Sequence, residues 1–269
     1  MRRRNLSLVV GATLTAALLF VVLVGGLVQP FGPTEIGVGG NLESPSLTHL
    51  LGTDHMGRDV FSRVLTGVGT TLLVALGTVL IGALGGLFVG AVAGYFGGWL
   101  DEVVMRVADG LTAFPSVLLA LVAMSFLERG MGTVIWVLGI LFIPSFARVA
   151  RGEFQRCRNL DYVKRAKLMG ASHGRIIAVH ILPNTLSVFL STVAIGFNNA
   201  VLAEASMSFL GLGVQQPQVS LGRMLADSQA QLFSAPWIGI STGVVIVCLV
   251  FAFSMLADGL QAGRGGRHA

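Results

Sequence analysis

Residues 70–96 read TTLLVALGTVLIGALGGLFVGAVAGYF, without one charged side chain. A helix needs about 20 such residues to cross the ~30 Å hydrocarbon layer of a membrane. At about 1.5 Å per residue this run reaches roughly 40 Å, so it tilts or emerges from the bilayer. Gly82, Gly86, Gly90, Gly94 and, just beyond, Gly98 recur every fourth residue. On a helix that spacing makes one slowly drifting ridge, and glycines on it let a second backbone approach closely. Such a ridge serves either fixed packing inside one subunit or a face that slides during transport.

Outward from this run the same composition continues. The 269 residues are 54% hydrophobic and 12% charged, with mean hydropathy +0.80. Soluble domains carry about 25% charged residues, so this chain lacks the polar surface a globule in water needs. Six stretches are apolar enough to cross: Leu8–Val28, Thr70–Phe96, Val103–Phe126, Val134–Val149, Thr185–Gly211 and Trp237–Leu256. None alternates as barrel strands do, and only helices or closed barrels satisfy backbone groups in lipid. The expected fold is all-α: a polytopic membrane protein with six transmembrane helices.

Charge sets the orientation. With the N-terminus in the cytoplasm, inside segments hold Arg2, Arg3, Arg4, Arg106, Arg148, Arg151, Arg156, Arg158, Lys164, Arg165, Lys167, Arg175, Arg264 and Arg267. Outside segments hold only Arg58, Arg63, Arg129 and Arg223, a 14-to-4 bias. The positive-inside rule then places both termini in the cytoplasm, and it accounts for the basic pI without nucleic acid. The apolar run after Met1 is longer than the 7–15 residues of a secretory signal core and reads as a retained anchor. Three parts follow: 1–69, the anchor and an extracytoplasmic loop; 70–261, a five-helix domain carrying a cytoplasmic loop at 148–184; and 262–269, a cytoplasmic tail. Cys157 and Cys248 make no metal-type spacing or disulfide framework, and His49 and His55 are read as polar loop residues. No cofactor or metal is implied.

A few residues stand out against the apolar background. A carboxylate at mid-bilayer costs about 2.5–3.5 kcal/mol, so it faces a cavity or a partner. Glu204, in Ala203-Glu204-Ala205-Ser206, has small neighbours. Glu204 and Ser206 therefore either line a translocation path or bond a neighbouring helix. Asp109 lies a turn from Arg106 near the inner boundary, where pairing or solvation competes with a path role. Pro115 and Pro144 each remove a helical hydrogen bond, so kinks are expected there. Arg58–Leu65 is expected as a short helix on the outer surface.

The loop 148–184 holds eight of the fourteen inside charges, and its centre reads Asp161-Tyr162-Val163-Lys164-Arg165-Ala166-Lys167-Leu168-Met169-Gly170-Ala171-Ser172. Tyr162, Ala166 and Met169 recur at helical spacing, with Lys164, Arg165 and Lys167 on the other faces. Gly170 is a helix stop, and Ser172 caps a second helix ending at Ile181 before Leu182-Pro183-Asn184. Two short helices bent at a glycine suit either a soluble partner's grip or an anionic lipid surface.

Here the sequence resembles the cytoplasmic signature of ABC importer permeases, in Ala166, Gly170, Ile181, Leu182 and Pro183, while Lys164 and Arg165 replace the usual Glu-Ala. Leu51-Gly52-Thr53-Asp54-His55-Met56-Gly57-Arg58-Asp59-Val60-Phe61-Ser62-Arg63, Phe114-Pro115-Ser116 and Ser208-Phe209-Leu210-Gly211-Leu212-Gly213 resemble the dipeptide/oligopeptide/nickel group, specifically its C-type subunit. The resemblance implies a type I permease fold and an importer of two different permeases (the second a B-type subunit), two ABC ATPases and an extracytoplasmic solute-binding protein. Asp161–Ala171 would then be the coupling element, inserted into a cleft on the ATPase. Peptides, nickel, metal chelates and haem all remain open as cargo. The chain has no Gly-x-x-x-x-Gly-Lys-[Ser/Thr] loop, no His-Glu-x-x-His motif and no Gly-x-Ser-x-Gly turn, which argues against an ATPase or an intramembrane enzyme. A proton-coupled carrier using Glu204 or Asp109 is the competing class.

Overall fold

The computed structural model describes residues 9, 11–17, 20, 24–25 and 29–262. The expected first span, Leu8–Val28, and the tail, 262–269, lie outside the described residues except at scattered positions. Among the described residues from 29 on, 29–59 run as turns and irregular backbone and the regular elements are helices: α1 Val60–Phe96, α2 Gly98–Thr112, α3 Ser116–Ser125, α4 Met131–Arg158, α5 Asp161–Leu168, α6 His173–Phe209, α7 Leu221–Ser228 and α8 Pro236–Ala262. Among the described residues α1, α4, α6 and α8 are long and apolar enough to cross a membrane, and the bent pair α2–α3 makes a fifth crossing if counted as one.

α1 begins ten residues before its apolar run. The Asp59 carboxylate accepts from the Ser62 amide at 2.7 Å, an N-cap that satisfies a free end donor. The charge on Arg63 is met by Asp54 at 3.6 Å and by the Pro33 carbonyl at 3.0 Å. The separate surface helix expected at Arg58–Leu65 is therefore the first turns of the span itself.

Along α1, Gly82, Gly86, Gly90 and Gly94 face α4. A methyl group at Gly82 would lie 2.8 Å from Phe142 Cβ. At Gly90 it would run into the Ala147 carbonyl and sit 2.7 Å from Ala150 Cβ, and at Gly94 it would come within 3.0 Å of Arg151 Cα. Gly98 departs from the expected ridge. The helix ends at Gly97 (φ 69°), Gly98 follows at φ 62°, and a methyl group there would meet nothing within 4 Å. The chain has already turned away, so Gly98 serves the reversal and not the packing.

The expected single span Val103–Phe126 is broken: α2 and α3 meet at 83°. Pro115 has no amide to donate, and its ring disfavours helical backbone at Phe114, so neither helix can run through. By contrast α4 continues unbroken through Pro144 and nine residues past Val149. Charges on that extension find partners: the Arg151 guanidinium donates to both oxygens of Asp101 (2.5 and 2.6 Å), and Arg156 donates to Glu153 at 2.6 Å. The expected stop at Leu182-Pro183-Asn184 is likewise absent. Over Ile176–Ile181 the helix widens to π register, with the Leu182 amide donating to the Ile177 carbonyl, and the span continues to Phe209. A wider turn accommodates a residue that cannot donate, so Pro183 deforms α6 without ending it.

Packing divides by level. At one end Val60, Val64 and Val68 meet Val219, Leu221 and Leu249. In the middle Ala75, Val79 and Ala83 meet Phe146, Phe189 and Ala200. At the other end Ala91 and Tyr95 meet Phe154, Cys157, Val163, Ile176 and Ile181.

Candidate functional site: a polar cavity and a protruding helix

Where α3, α4 and α6 meet, a cavity of about 370 Å³ opens at mid-height. Its polar groups are Ser116, Ser145, Thr192, Asn199 and Ser206, set among Phe142, Phe146, Ile195 and Leu202. The bend at Pro115 delivers Ser116, because α3 begins there instead of continuing α2. On α6 the lining residues Thr192, Gly196, Asn199, Ala203 and Ser206 follow at steps of four, three, four and three, one face of a helix. That small and polar stripe in an apolar span was the available signal for Thr192 and Asn199. A search for charged residues passes over it, as it does over Ser116 and Ser145.

Of the three residues singled out for the path, only Ser206 lines the cavity. Glu204 is fully buried and turned to the opposite side of α6. Its carboxylate accepts from the Thr71 hydroxyl at 2.9 Å and from the Ser208 hydroxyl at 2.6 Å, which leaves it no role in the lining. Asp109 is exposed on α2 and accepts from Arg148 at 2.9 Å, not from Arg106, which pairs with Glu102 at 3.7 Å. The two carboxylates are thus not brought together.

At the basic end α5 packs beneath α4 and α6. Its anchor is Val163, fully buried with Ile176, Ile181 and Cys157, and Ala166 and Ala171 pack against the same cluster. The stripe expected through Tyr162, Ala166 and Met169 is therefore rotated: Val163 and Ala166 face in, while Leu168 and Met169 stand 87% and 86% exposed. Gly170 stops the helix at φ 78°, with the Ala171 amide donating back to the Ala166 carbonyl at 3.1 Å. The Ser172 hydroxyl then accepts from the Arg175 amide at 3.4 Å and starts α6. Lys164, Arg165 and Lys167 point to solvent or across the edge, Lys167 lying 5.3 Å over the Tyr95 ring. Tyr95 in turn shares a 2.8 Å hydrogen bond with His173, so the end of α1 and the start of α6 are tied beside α5. Burial, then the neighbouring Cys157, push the Tyr162 phenol above its ordinary range, which keeps it protonated.

Comparison with known proteins bears on this arrangement. The sequence pattern of the family described as "Binding-protein-dependent transport system inner membrane component" matches residues 86–263. The dipeptide transport system permease protein DppC of Alkalihalophilus pseudofirmus is 34% identical over 96% of this chain and 85% of its own length. The glutathione transport system permease protein GsiD of Pectobacterium atrosepticum is 38% identical over 81% of this chain and 73% of its own. Among solved structures, the inward-facing MetNI methionine ABC transporter superposes with TM-score 0.62 at 19% identity, over 73% of this chain and 93% of that one. An amino acid ABC transporter solved with histidines gives 0.56 at 19% identity, over 73% and 92%. These two speak for the fold alone. The chain belongs to the family of binding-protein-dependent transport system inner membrane components, as a permease subunit of the ABC-importer type in the branch that holds the dipeptide and glutathione permeases.

Proposed function

We propose that this chain is one of two permease subunits of an ATP-driven importer, that its cavity is half of the path for di- or oligopeptides, and that α5 takes up motion from a separate ATPase. The observation that carries the coupling is the geometry of α5. It is pinned by one buried valine and stopped by a left-handed glycine, yet holds two large apolar side chains almost wholly free. Exposed Leu168 and Met169 on a fixed support suit a protein cleft better than a headgroup layer. The second, B-type permease faces the cavity, two ATPases lie beneath α5, and an extracytoplasmic solute-binding protein delivers cargo at the opposite end. The charge bias supports a cytoplasmic side for α5 and both termini.

Two observations favour peptide cargo. The relatives above are named for a dipeptide and for glutathione. The cavity offers hydroxyls and one carboxamide, donors and acceptors suited to peptide amides. The test is reconstitution. Proteoliposomes holding the whole complex take up labelled peptide only with ATP, and the chain alone hydrolyses none. Uptake by the chain alone under a proton gradient would replace this reading with a secondary carrier. Mass spectrometry of the ligand carried by the binding protein decides the cargo: a peptide supports the proposal, and a metal chelate or haem overturns its substrate part.

A further inference from the structure

Buried Glu204 is left without a task by the cavity, and its surroundings give it one. Two hydroxyls, Thr71 on α1 and Ser208 on α6, donate to its two oxygens. Each of these hydroxyls accepts a backbone amide, one from the segment joining α6 to α7 and one from the first residue of α7. Val214 donates to Ser208 at 3.1 Å and Leu221 to Thr71 at 3.4 Å, while Ser220 caps α7 by accepting from the Arg223 amide at 3.3 Å. Glu204, Thr71, Ser208, Val214, Ser220 and Leu221 all have zero solvent exposure. Glycines fit the segment in closely: a methyl group at Gly213 would strike the Ser208 hydroxyl, and one at Gly222 the Ala205 carbonyl. Between these attachments Gln216, Pro217 and Gln218 stand out into solvent.

We propose that Glu204 is a positioning residue: its carboxylate orients two hydroxyls so that their lone pairs hold the amides of Val214 and Leu221, fixing the exposed tip 216–218 to α1 and α6 as one moving unit. A hydroxyl has one hydrogen. Spent on the carboxylate, it leaves the oxygen's lone pairs to the amide. Any group at 204 that itself donates forces one hydroxyl to turn and releases the amide it held. A joint movement of α1 and α6 is then delivered to the tip.

The experiment reads hydrogen exchange at single amides in the assembled complex, beside uptake. Thr71→Val is expected to speed exchange at Leu221 about five- to tenfold, the loss of one net hydrogen bond, and to leave Val214 unchanged. Ser208→Ala should do the reverse. Glu204→Gln should speed exchange at one of the two, the amide held by the hydroxyl that faces the new NH2 group, and lower uptake about tenfold, with the complex at its usual abundance and its basal ATP hydrolysis retained. Equal acceleration throughout α1 and α6 in all three variants would mean ordinary loosening and overturn the proposal, as would unchanged exchange in Glu204→Gln. Normal uptake with that amide released would overturn its transport part. The two single-hydroxyl variants decide the matter should Glu204→Gln fail to assemble. The uptake arm rests on the permease reading and the exchange arm does not, so a wild type without uptake would sink that reading alone.

Discussion

At position 90 the absence of a side chain is what brings two backbones together. The Ala147 carbonyl occupies the place a methyl group would take, and Ala150 Cβ is 2.7 Å from it. Membrane helices gain little from hiding apolar surface from lipid, so close contact of this kind supplies the packing. Gly90→Val should therefore lower thermal stability in detergent by about 1–3 kcal/mol, read as a fall in Tm. Gly152, on α4, is the matched control: nothing lies within 4 Å of an added methyl group. Gly152→Ala should be neutral or stabilising by up to about 1 kcal/mol, because alanine is the better helix former. A four-residue glycine period was readable in the sequence, but its last member was not. Gly98 continues the spacing while the backbone has already left the helix, and linear spacing carries no record of where a helix stops.

At the scale of elements, α5 depends on one contact and one turn. Val163→Asp would place a carboxylate among Ile176, Ile181 and Phe154. Gly170→Pro would force φ near −65° where the chain needs 78°. Under the proposed coupling either variant should remain in the membrane and lose most ATP-dependent uptake. The double charge reversal Lys164→Glu and Arg165→Glu should act similarly without disturbing α5, since both residues are exposed. Normal uptake in all of these would remove α5 from the coupling scheme. Long apolar runs made α1, α4, α6 and α8 legible, because hydrocarbon thickness sets a minimum length that few other sequences meet. Their ends were less legible. Helices run past their apolar cores wherever a cap such as Asp59, or a pair such as Asp101–Arg151, satisfies the extra turns. The cavity was the least legible feature, since its polar side chains come from three helices and only the α6 stripe is periodic.

For the whole molecule the orientation can be tested directly. A cysteine introduced at Ser172, in a background lacking Cys157 and Cys248, should react with an impermeant thiol reagent only after the membrane is breached. Reaction in intact cells would place α5 outside and overturn both the topology and the proposed coupling. The bend at Pro115 has a further consequence for the assembly. α3 has ten residues and rises about 15 Å, half the hydrocarbon depth, while α2 leaves at 83°. α3 by itself therefore covers only about half of that depth, and the bent pair crosses only if both helices contribute. Leu118 and Val122 are the exposed apolar side chains of that short helix, so whatever completes the wall there, lipid or a second subunit, has to rest on them.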